Sequence, residues 1–260
     1  MKKTLEDIWE INDEIFECFQ EYFPDTPKSQ FARKYPITFQ LFLDFEISTT
    51  FIKSGIFESA ESDNIFAVKI LMRSLIEHYL RFKYVFFNWA RDKSEEAAER
   101  YFIFSHESDQ LSNFKARIVE IQLSNPHFKF EKWNEMLTKY SRKEVEDEAN
   151  KYNYKNIIRF LIKTMKQDEK KEFPFLNRVI IEYSHLSAYV HGGIHGHNEI
   201  RKFTQDEPAR SNELIRLSSL AAQMQTAVKL FTLICFIQTD KELFSAVYQK
   251  MSKLNLKFVQ

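Results

Sequence analysis

Glycine is scarce in this 260-residue chain, and its distribution restricts the fold more than any other feature. The sequence holds four glycines and six prolines, and three of the glycines fall together at Gly192, Gly193 and Gly196. An architecture built of many short strands needs more turn residues than that. The scarcity therefore predicts an all-α fold of long helices, arranged as a single domain over residues 1–260.

The composition agrees with a soluble globular protein. Hydrophobic residues make up 44% of the chain, and 26 phenylalanines predict a core built on aromatic packing. The 37 basic residues balance 37 acidic ones, which disfavours a general nucleic-acid binder but leaves room for a local site. We expect Cys18 and Cys235 to be buried free thiols.

The sequence predicts a cytoplasmic protein without a membrane segment. The N-terminus turns acidic after two lysines and shows no apolar core of a signal peptide. The longest apolar run, near residues 230–237, is too short to span a bilayer, and Gln223, Gln225 and Lys229 interrupt the wider apolar window.

Hydrophobic periodicity, caps and prolines divide the chain into about ten helices. We predict helices at 3–22, 37–57, 64–91, 94–122, 130–140, 142–150, 152–167, 174–191, 209–238 and 240–252. Ser62 or Asp63 is the expected N-cap of the third helix, and the fourth has a possible break near 105–113. The glycine-rich segment 192–207 is predicted to be a loop.

The predicted helix 64–91 is apolar on two opposite sides, which is typical of a helix in the middle of a fold. Lys69, Arg73 and Glu77 follow one another at intervals of four residues and form a charged stripe between apolar neighbours. Buried charges need partners, because an unpaired buried charge is costly. The stripe is therefore either a structural set of ion pairs or part of a functional site.

The predicted helix 174–191 carries the most unusual chemistry in the chain. Four of the seven histidines lie at its end or just beyond it: His185, His191, His195 and His197. At 100° per residue, Ser184, Ser187 and His191 share one face, and Val179, Leu186 and Val190 supply packing. This face is predicted either to make a close helix contact, with His191 capping the helix, or to form a polar cleft with the Arg73–Glu77 stripe.

Two segments resemble a bacterial all-helical family whose activity is not assigned. The segments are LMRSLIEHYLRFKYV at 71–85 and YSHLSAYVHGG at 183–193. The family pairs an R-x-x-x-E helix with a Y-x-x-L-S-x-x-x-H segment. Residue by residue, the resemblance implies a site made of Arg73, Glu77, Tyr183, Ser187 and His191, without naming a reaction.

A second motif is similar to that of HEPN proteins, helical bundles that include toxin and antiviral ribonucleases. RSLIEH at 73–78 has the Arg-to-His spacing of their motif, with Ser74 beside the arginine. RYFIFSH at 100–106 has the spacing too, but Tyr101 departs from the pattern. The resemblance implies an HEPN-like bundle core with additional helices, RNA as substrate and a homodimer. His78 would be the general base, Arg73 would hold the phosphate, and no metal would be needed.

Helix geometry conflicts with a simple version of this motif. Five residues along a helix rotate a side chain by about 140°, so Arg73 and His78 would point in different directions. The motif would then need a distorted helix or a dimer interface. Taking both resemblances together, the candidate catalytic residues are Arg73, Glu77, His78 and His191. The candidate binding residues are Tyr183, Ser184 and Ser187.

Two other functions stay open on the sequence. The first is a non-catalytic helical module that binds a protein partner. The second is a metal site, for which His185, His191, His195, His197, Glu182 and Glu199 have suitable side chains but no recognised ligand spacing. No glycine-rich phosphate loop is present, which excludes the P-loop and Rossmann classes, and we expect no cofactor.

Overall fold

Long helices account for nearly all of the described residues. The computed structural model describes residues 3–127, 140–166 and 174–258, and within these ranges it is all-α, with no strand. The helices are α1 Leu5–Tyr22, α2 Gln30–Lys34, α3 Pro36–Glu61, α4 Ile65–Asp92, α5 Glu96–Ser124, α6 Arg142–Lys151, α7 Tyr154–Lys166, α8 Pro174–Val190, α9 Ile194–Gln205, α10 Glu207–Ile237 and α11 Lys241–Lys257. A short 3₁₀ helix, Phe23–Lys28, joins α1 to α2.

Helix α4 lies in the middle of the fold, as its two apolar faces predicted. It packs against α3, α10, α8 and α7. Its buried residues include Val68, Met72 and Leu75, but also Lys69 and Lys83. The helix therefore holds basic side chains inside the protein, and the surrounding helices supply their partners: two carboxylates for Lys69 and the Phe231 ring for Lys83.

Aromatic rings form much of the core, which confirms the prediction from the phenylalanine content. Phe42 and Phe82 meet edge to face with ring centroids 5.1 Å apart, and Phe31 contacts both Trp89 and Phe236 in the same way. Such pairs contribute about 1 kcal/mol each beyond the burial of their area. Cys18 and Cys235 are both buried and free, as expected.

Helix α10 is long and apolar enough to cross a membrane by length and composition, which the short apolar run near residue 230 did not indicate. It is the one such helix within the described residues. However, 72% of its most apolar window is buried inside the fold, as in the core helix of a soluble protein, so this feature is weak evidence for a membrane span.

Two local predictions were wrong in detail, and a third was not tested. Asn64, not Ser62 or Asp63, caps α4 by accepting a hydrogen bond from the Ala67 N–H (3.1 Å). Helix α5 runs without the expected break near 105–113. Apart from its last residue, the predicted helix 130–140 lies outside the described residues.

The predicted loop 192–207 is also wrong, because most of it forms α9. Gly193 is the N-cap of this helix, and Gly196 lies on its first turn against the end of α8. A Cβ atom at Gly196 would lie 3.0 Å from the Ala188 carbonyl oxygen. The glycines thus allow two helices to approach closely rather than marking a flexible loop.

Candidate functional site

The end of α8 places His191 beside the central helix. Helix α8 ends at Val190, one residue before the position predicted, and His191 follows as the first turn residue. Gly192 adopts a left-handed backbone (φ 63°), and the Gly193 N–H donates to the Ala188 carbonyl (2.8 Å). This is the usual glycine-dependent termination of a helix, and it satisfies a carbonyl that the helix leaves free.

Four side chains from α4, from α8 and from the residue after α8 meet to form what we call the Arg73 cluster. It consists of Arg73, Glu77, Tyr183 and His191. One guanidinium nitrogen of Arg73 lies 3.3 Å from His191 Nε2, and the other donates to the Tyr183 hydroxyl (3.1 Å). Tyr183 donates in turn to Glu77 (3.0 Å), and Arg73 lies 3.4 Å from the same carboxylate oxygen. The predicted meeting of the two motifs is confirmed.

The contact between Arg73 and His191 determines which imidazole nitrogen carries the proton. A guanidinium has only hydrogen-bond donors, so His191 Nε2 accepts in this arrangement. The ring proton of the neutral imidazole then lies on Nδ1. The Nε2 lone pair of His191 therefore accepts the hydrogen bond from Arg73. An anion that accepts this Arg73 N–H instead would leave the Nε2 lone pair free to accept a proton.

The cluster is open on the His191 side and closed on the Arg73 side. The Arg73 side chain is 14% exposed and that of Glu77 is 34% exposed, while His191 lies on the surface. Burial raises the pKa of the Tyr183 hydroxyl, and Glu77 adds to this effect against the opposing hydrogen bond from Arg73. Tyr183 thus stays a protonated donor over the range where proteins work.

A tyrosine from α7 completes the wall beside the cluster. The rings of Tyr154 and Tyr183 stack with centroids 3.6 Å apart, and the Tyr154 hydroxyl donates to the Ile180 carbonyl (3.2 Å). Next to this stack is a pocket of about 190 Å³. It is lined by Glu77, Leu80, Arg81, Tyr152, Asn153, Tyr154, Ile157 and Tyr183. No sequence signal pointed to Tyr154, because α7 reaches the site only through the tertiary fold.

The structure does not bring the remaining predicted site residues into the cluster. His78 Nδ1 lies 2.9 Å from the Ser74 carbonyl of its own helix, so it faces away from Arg73 as the 140° rotation predicted. Ser184 is exposed, and Ser187 is half-buried; neither hydroxyl bonds to the cluster within the described residues. Val190, predicted to pack, is 43% exposed, because α8 ends there.

A second polar group, which we call the Lys69 network, lies one turn away along α4. Lys69 pairs with Glu199 (2.9 Å) of α9 and with Glu213 (3.3 Å) of α10. Arg216 forms an ion pair with Glu213 and a bidentate pair with Glu182, donating to its two carboxylate oxygens at 2.7 and 3.0 Å. The network ties α4, α8, α9 and α10 together.

The histidines beyond α8 do not converge. His195 and His197, predicted to lie on a loop, lie on α9, and both are exposed, as is His185. In the part of the chain that the structure describes, no three His, Cys, Asp or Glu side chains are placed to hold one metal ion. Of the predicted ligands, Glu182 and Glu199 are instead engaged by Arg216 and Lys69.

Comparison with known proteins gives no relative from which a function could be taken. Neither a protein-family model, nor a curated protein, nor a solved structure matches the chain.

Proposed function

We propose that the Arg73 cluster is the active site of a metal-independent ribonuclease. The observation that supports this best is the 3.3 Å contact between Arg73 and the exposed His191 across two helices. A cation that can hold a phosphate and an imidazole that can move a proton are the two groups that such a reaction needs. The pairing differs from the HEPN motif, in which the histidine would be His78.

The proposed reaction is an internal transesterification. RNA phosphate binds the Arg73 guanidinium and frees Nε2 of His191, which takes the proton of the ribose 2′-hydroxyl. The 2′-oxygen forms a bond to phosphorus, and the bond to the 5′-oxygen breaks. The imidazolium returns its proton to that leaving oxygen, so the products are a 2′,3′-cyclic phosphate and a 5′-hydroxyl. Arg73 stabilises the additional negative charge on phosphorus.

The pocket beside the cluster suits a nucleobase next to the cleaved bond. Its tyrosine rings offer stacking surface, and Glu77 and Asn153 offer hydrogen-bonding groups for a base edge. A 190 Å³ pocket has room for one base rather than for a duplex. We therefore propose single-stranded RNA as the substrate.

The cellular setting that we propose is that of an effector in a bacterial toxin or defence system. It rests on the HEPN resemblance of the segment 73–78 and not on the geometry of the cluster.

Cleavage of RNA by the purified protein in EDTA tests the proposal. We expect cyclic 2′,3′-phosphate or 3′-phosphate ends, and no cleavage of a matched DNA strand, because DNA lacks the 2′-hydroxyl. His191→Ala should lower the cleavage rate by about 10²–10⁴-fold, as for loss of a general base. The absence of cleavage for every RNA tried would contradict the proposal.

Two further histidine variants show which residue acts. His78→Ala should keep most activity, because His78 bonds to its own helix backbone. His195→Ala, an exposed neighbour of His191 in sequence, is the matched control and should keep full activity. Loss of activity in His78→Ala with activity kept in His191→Ala would transfer the assignment to the one-helix HEPN motif.

A non-catalytic interaction module is the second candidate function, and an exposed apolar stripe on α3 favours it. Phe51 is 74% exposed and Ile47 is 44% exposed, one helical turn apart. Such residues are typical of a contact surface when they occur together. If Phe51→Ser abolishes the recovery of one partner protein while the wild-type protein cuts no RNA, the interaction function is the better description.

A further inference from the structure

A second cavity, of about 500 Å³, lies between α1, α8, α10 and the residue that follows α11. It shares no lining residue with the pocket beside the Arg73 cluster. Its apolar lining is formed by Ile8, Phe175, Ile215 and Phe258. The volume lies within the range typical of small-molecule sites, and such sites combine apolar walls with a few polar groups.

The charged groups that line this cavity are all cationic. They are Lys3, Arg178 and Arg216, and the described lining contains no carboxylate. Arg216 is already occupied by Glu182 and Glu213, and the Lys3 ammonium donates to the Lys257 carbonyl. These two cations therefore have partners that the protein itself supplies.

Arg178 differs from the other two cations. Its guanidinium makes no hydrogen bond and no ion pair within the described residues. Arg178 is exposed, and the partial burial of its guanidinium lowers its pKa, which the neighbouring charge of Arg216 lowers further against the opposing field of Glu182. Both carboxylate oxygens of Glu182 are committed to Arg216, so Arg178 lacks an anion of its own.

We infer that this cavity binds a small organic carboxylate with an apolar body. The carboxylate would pair with the free guanidinium of Arg178, whose planar donors match the two oxygens of that group. The hydrocarbon part would contact Phe175, Ile215 and Phe258. An inorganic anion would leave these walls in contact with water, and an amine would add a fourth positive charge. The inference is independent of the proposed ribonuclease activity.

Calorimetric titration of the full-length protein with octanoate tests the inference. Octanamide and octylamine have the same chain length and differ in the head group alone. We expect octanoate to bind at least about tenfold more tightly than octanamide, because it gains a charge-assisted pair, and octylamine to bind most weakly. Equal affinity for octanoate and octanamide, or no binding of octanoate, would overturn the proposal.

Two variants locate the site. Arg178→Gln should lower octanoate affinity by about tenfold or more and leave octanamide binding unchanged. Because Arg178 is exposed and makes no hydrogen bond or ion pair within the described residues, this variant should fold normally. Arg201→Gln, an exposed arginine on α9, is the matched control. Ile215→Trp fills the cavity and should weaken both ligands. Octanoate affinity that survives both Arg178→Gln and Ile215→Trp would place the ligand elsewhere and refute the inference.

Discussion

The Lys69 network and the Arg73 cluster lie on the same face of α4, one turn apart, but their cations differ in exposure and in the charge of their partners. The Lys69 side chain is 3% exposed and contacts two carboxylates. Arg73 contacts one half-buried carboxylate and two neutral groups, one of which, His191, is on the surface. The comparison teaches that equal spacing along a helix does not give equal roles. The neighbouring helices decide that Lys69 is enclosed by carboxylates, whereas Arg73 adjoins the exposed His191.

The difference has an energetic basis. The buried ammonium of Lys69 is tolerated because the carboxylates of Glu199 and Glu213 compensate for its lost hydration. Removing the lysine or the carboxylates therefore leaves an uncompensated buried charge. Arg73 is compensated by a single carboxylate, that of Glu77, and by its contacts with Tyr183 and His191. We therefore expect the Lys69 network to dominate stability and the Arg73 cluster to dominate activity. The predictions below are ordered by their expected effect on the free energy of unfolding.

Replacement of Lys69 by methionine should have the largest effect. Lys69→Met leaves two carboxylates facing each other without their shared cation, and we expect a loss of about 3 kcal/mol or more in the free energy of unfolding. Urea denaturation measures it. Lys202→Met makes the same chemical change at an exposed position of α9 and should cost less than about 0.5 kcal/mol. Similar values for the two variants would show that the Lys69 network is not structural.

A methyl group at Gly196 should have the next largest effect. The Gly196→Ala Cβ would lie 3.0 Å from the Ala188 carbonyl oxygen, so α9 must move away from α8 and carry Glu199 away from Lys69. We expect a loss of about 1–3 kcal/mol by the same denaturation assay. Gly193→Ala is the control, because its Cβ meets nothing closer than 3.5 Å and its φ is −68°. Equal losses for both would contradict the close approach.

A double-mutant cycle on the Arg73 cluster should give a smaller value. Arg73→Ala, Tyr183→Phe and the double variant isolate the coupling through the 3.1 Å hydrogen bond, which we expect to be about 0.5–1 kcal/mol. Arg73→Ala should meanwhile reduce RNA cleavage by about 10²–10³-fold. A stability loss as large as that of Lys69→Met, without any effect on cleavage, would make Arg73 a structural residue and remove the contrast between the clusters.

Sequence periodicity was sufficient for the fold class and for the position of α4. The stripe formed by Lys69, Arg73 and Glu77 and its meeting with His191 were also predictable, since buried charges on a central helix need partners. The sequence could not show which partner each charge has. Glu199 reaches Lys69 because it lies on α9. The sequence did not predict α9, because its glycines were interpreted as a loop signal although they allow close packing of α9 against α8.

The same limit applies to the rest of the candidate site. Tyr154 stacks on Tyr183 from a helix with no motif of its own, so its place depends on long-range packing that no local pattern encodes. Ser184 belonged to the predicted polar face at ideal helical rotation, but it points to solvent. A fixed angle per residue identifies a face roughly, and the neighbouring helices decide which of its residues are covered.

The pH dependence of stability should provide the smallest and most specific difference between the two clusters. Burial raises the pKa of Glu213, but the neighbouring Arg216 and Lys69 lower it by more. Burial also raises the pKa of Glu199, but hydrogen bonds from Tyr189 and Lys69 lower it by more. The pKa of each carboxyl group is therefore lower in the folded protein than in the unfolded chain. A lowered folded-state pKa contributes stability that is present above the unfolded value of about 4.3 and is lost as the pH falls through the folded value.

Lys69→Met should therefore flatten the acid side of the stability profile, because both carboxyl groups lose a cation that lowers their pKa. Each group contributes at most about 1.4 kcal/mol per pH unit, and the change in slope should be a fraction of that. Arg73→Ala should leave the contributions of Glu199 and Glu213 to this slope in place, since Arg73 contacts neither of them. Urea denaturation at intervals between pH 3 and pH 6 measures both slopes. If Arg73→Ala flattens the profile as much as Lys69→Met does, the two clusters share their charges and act as one unit.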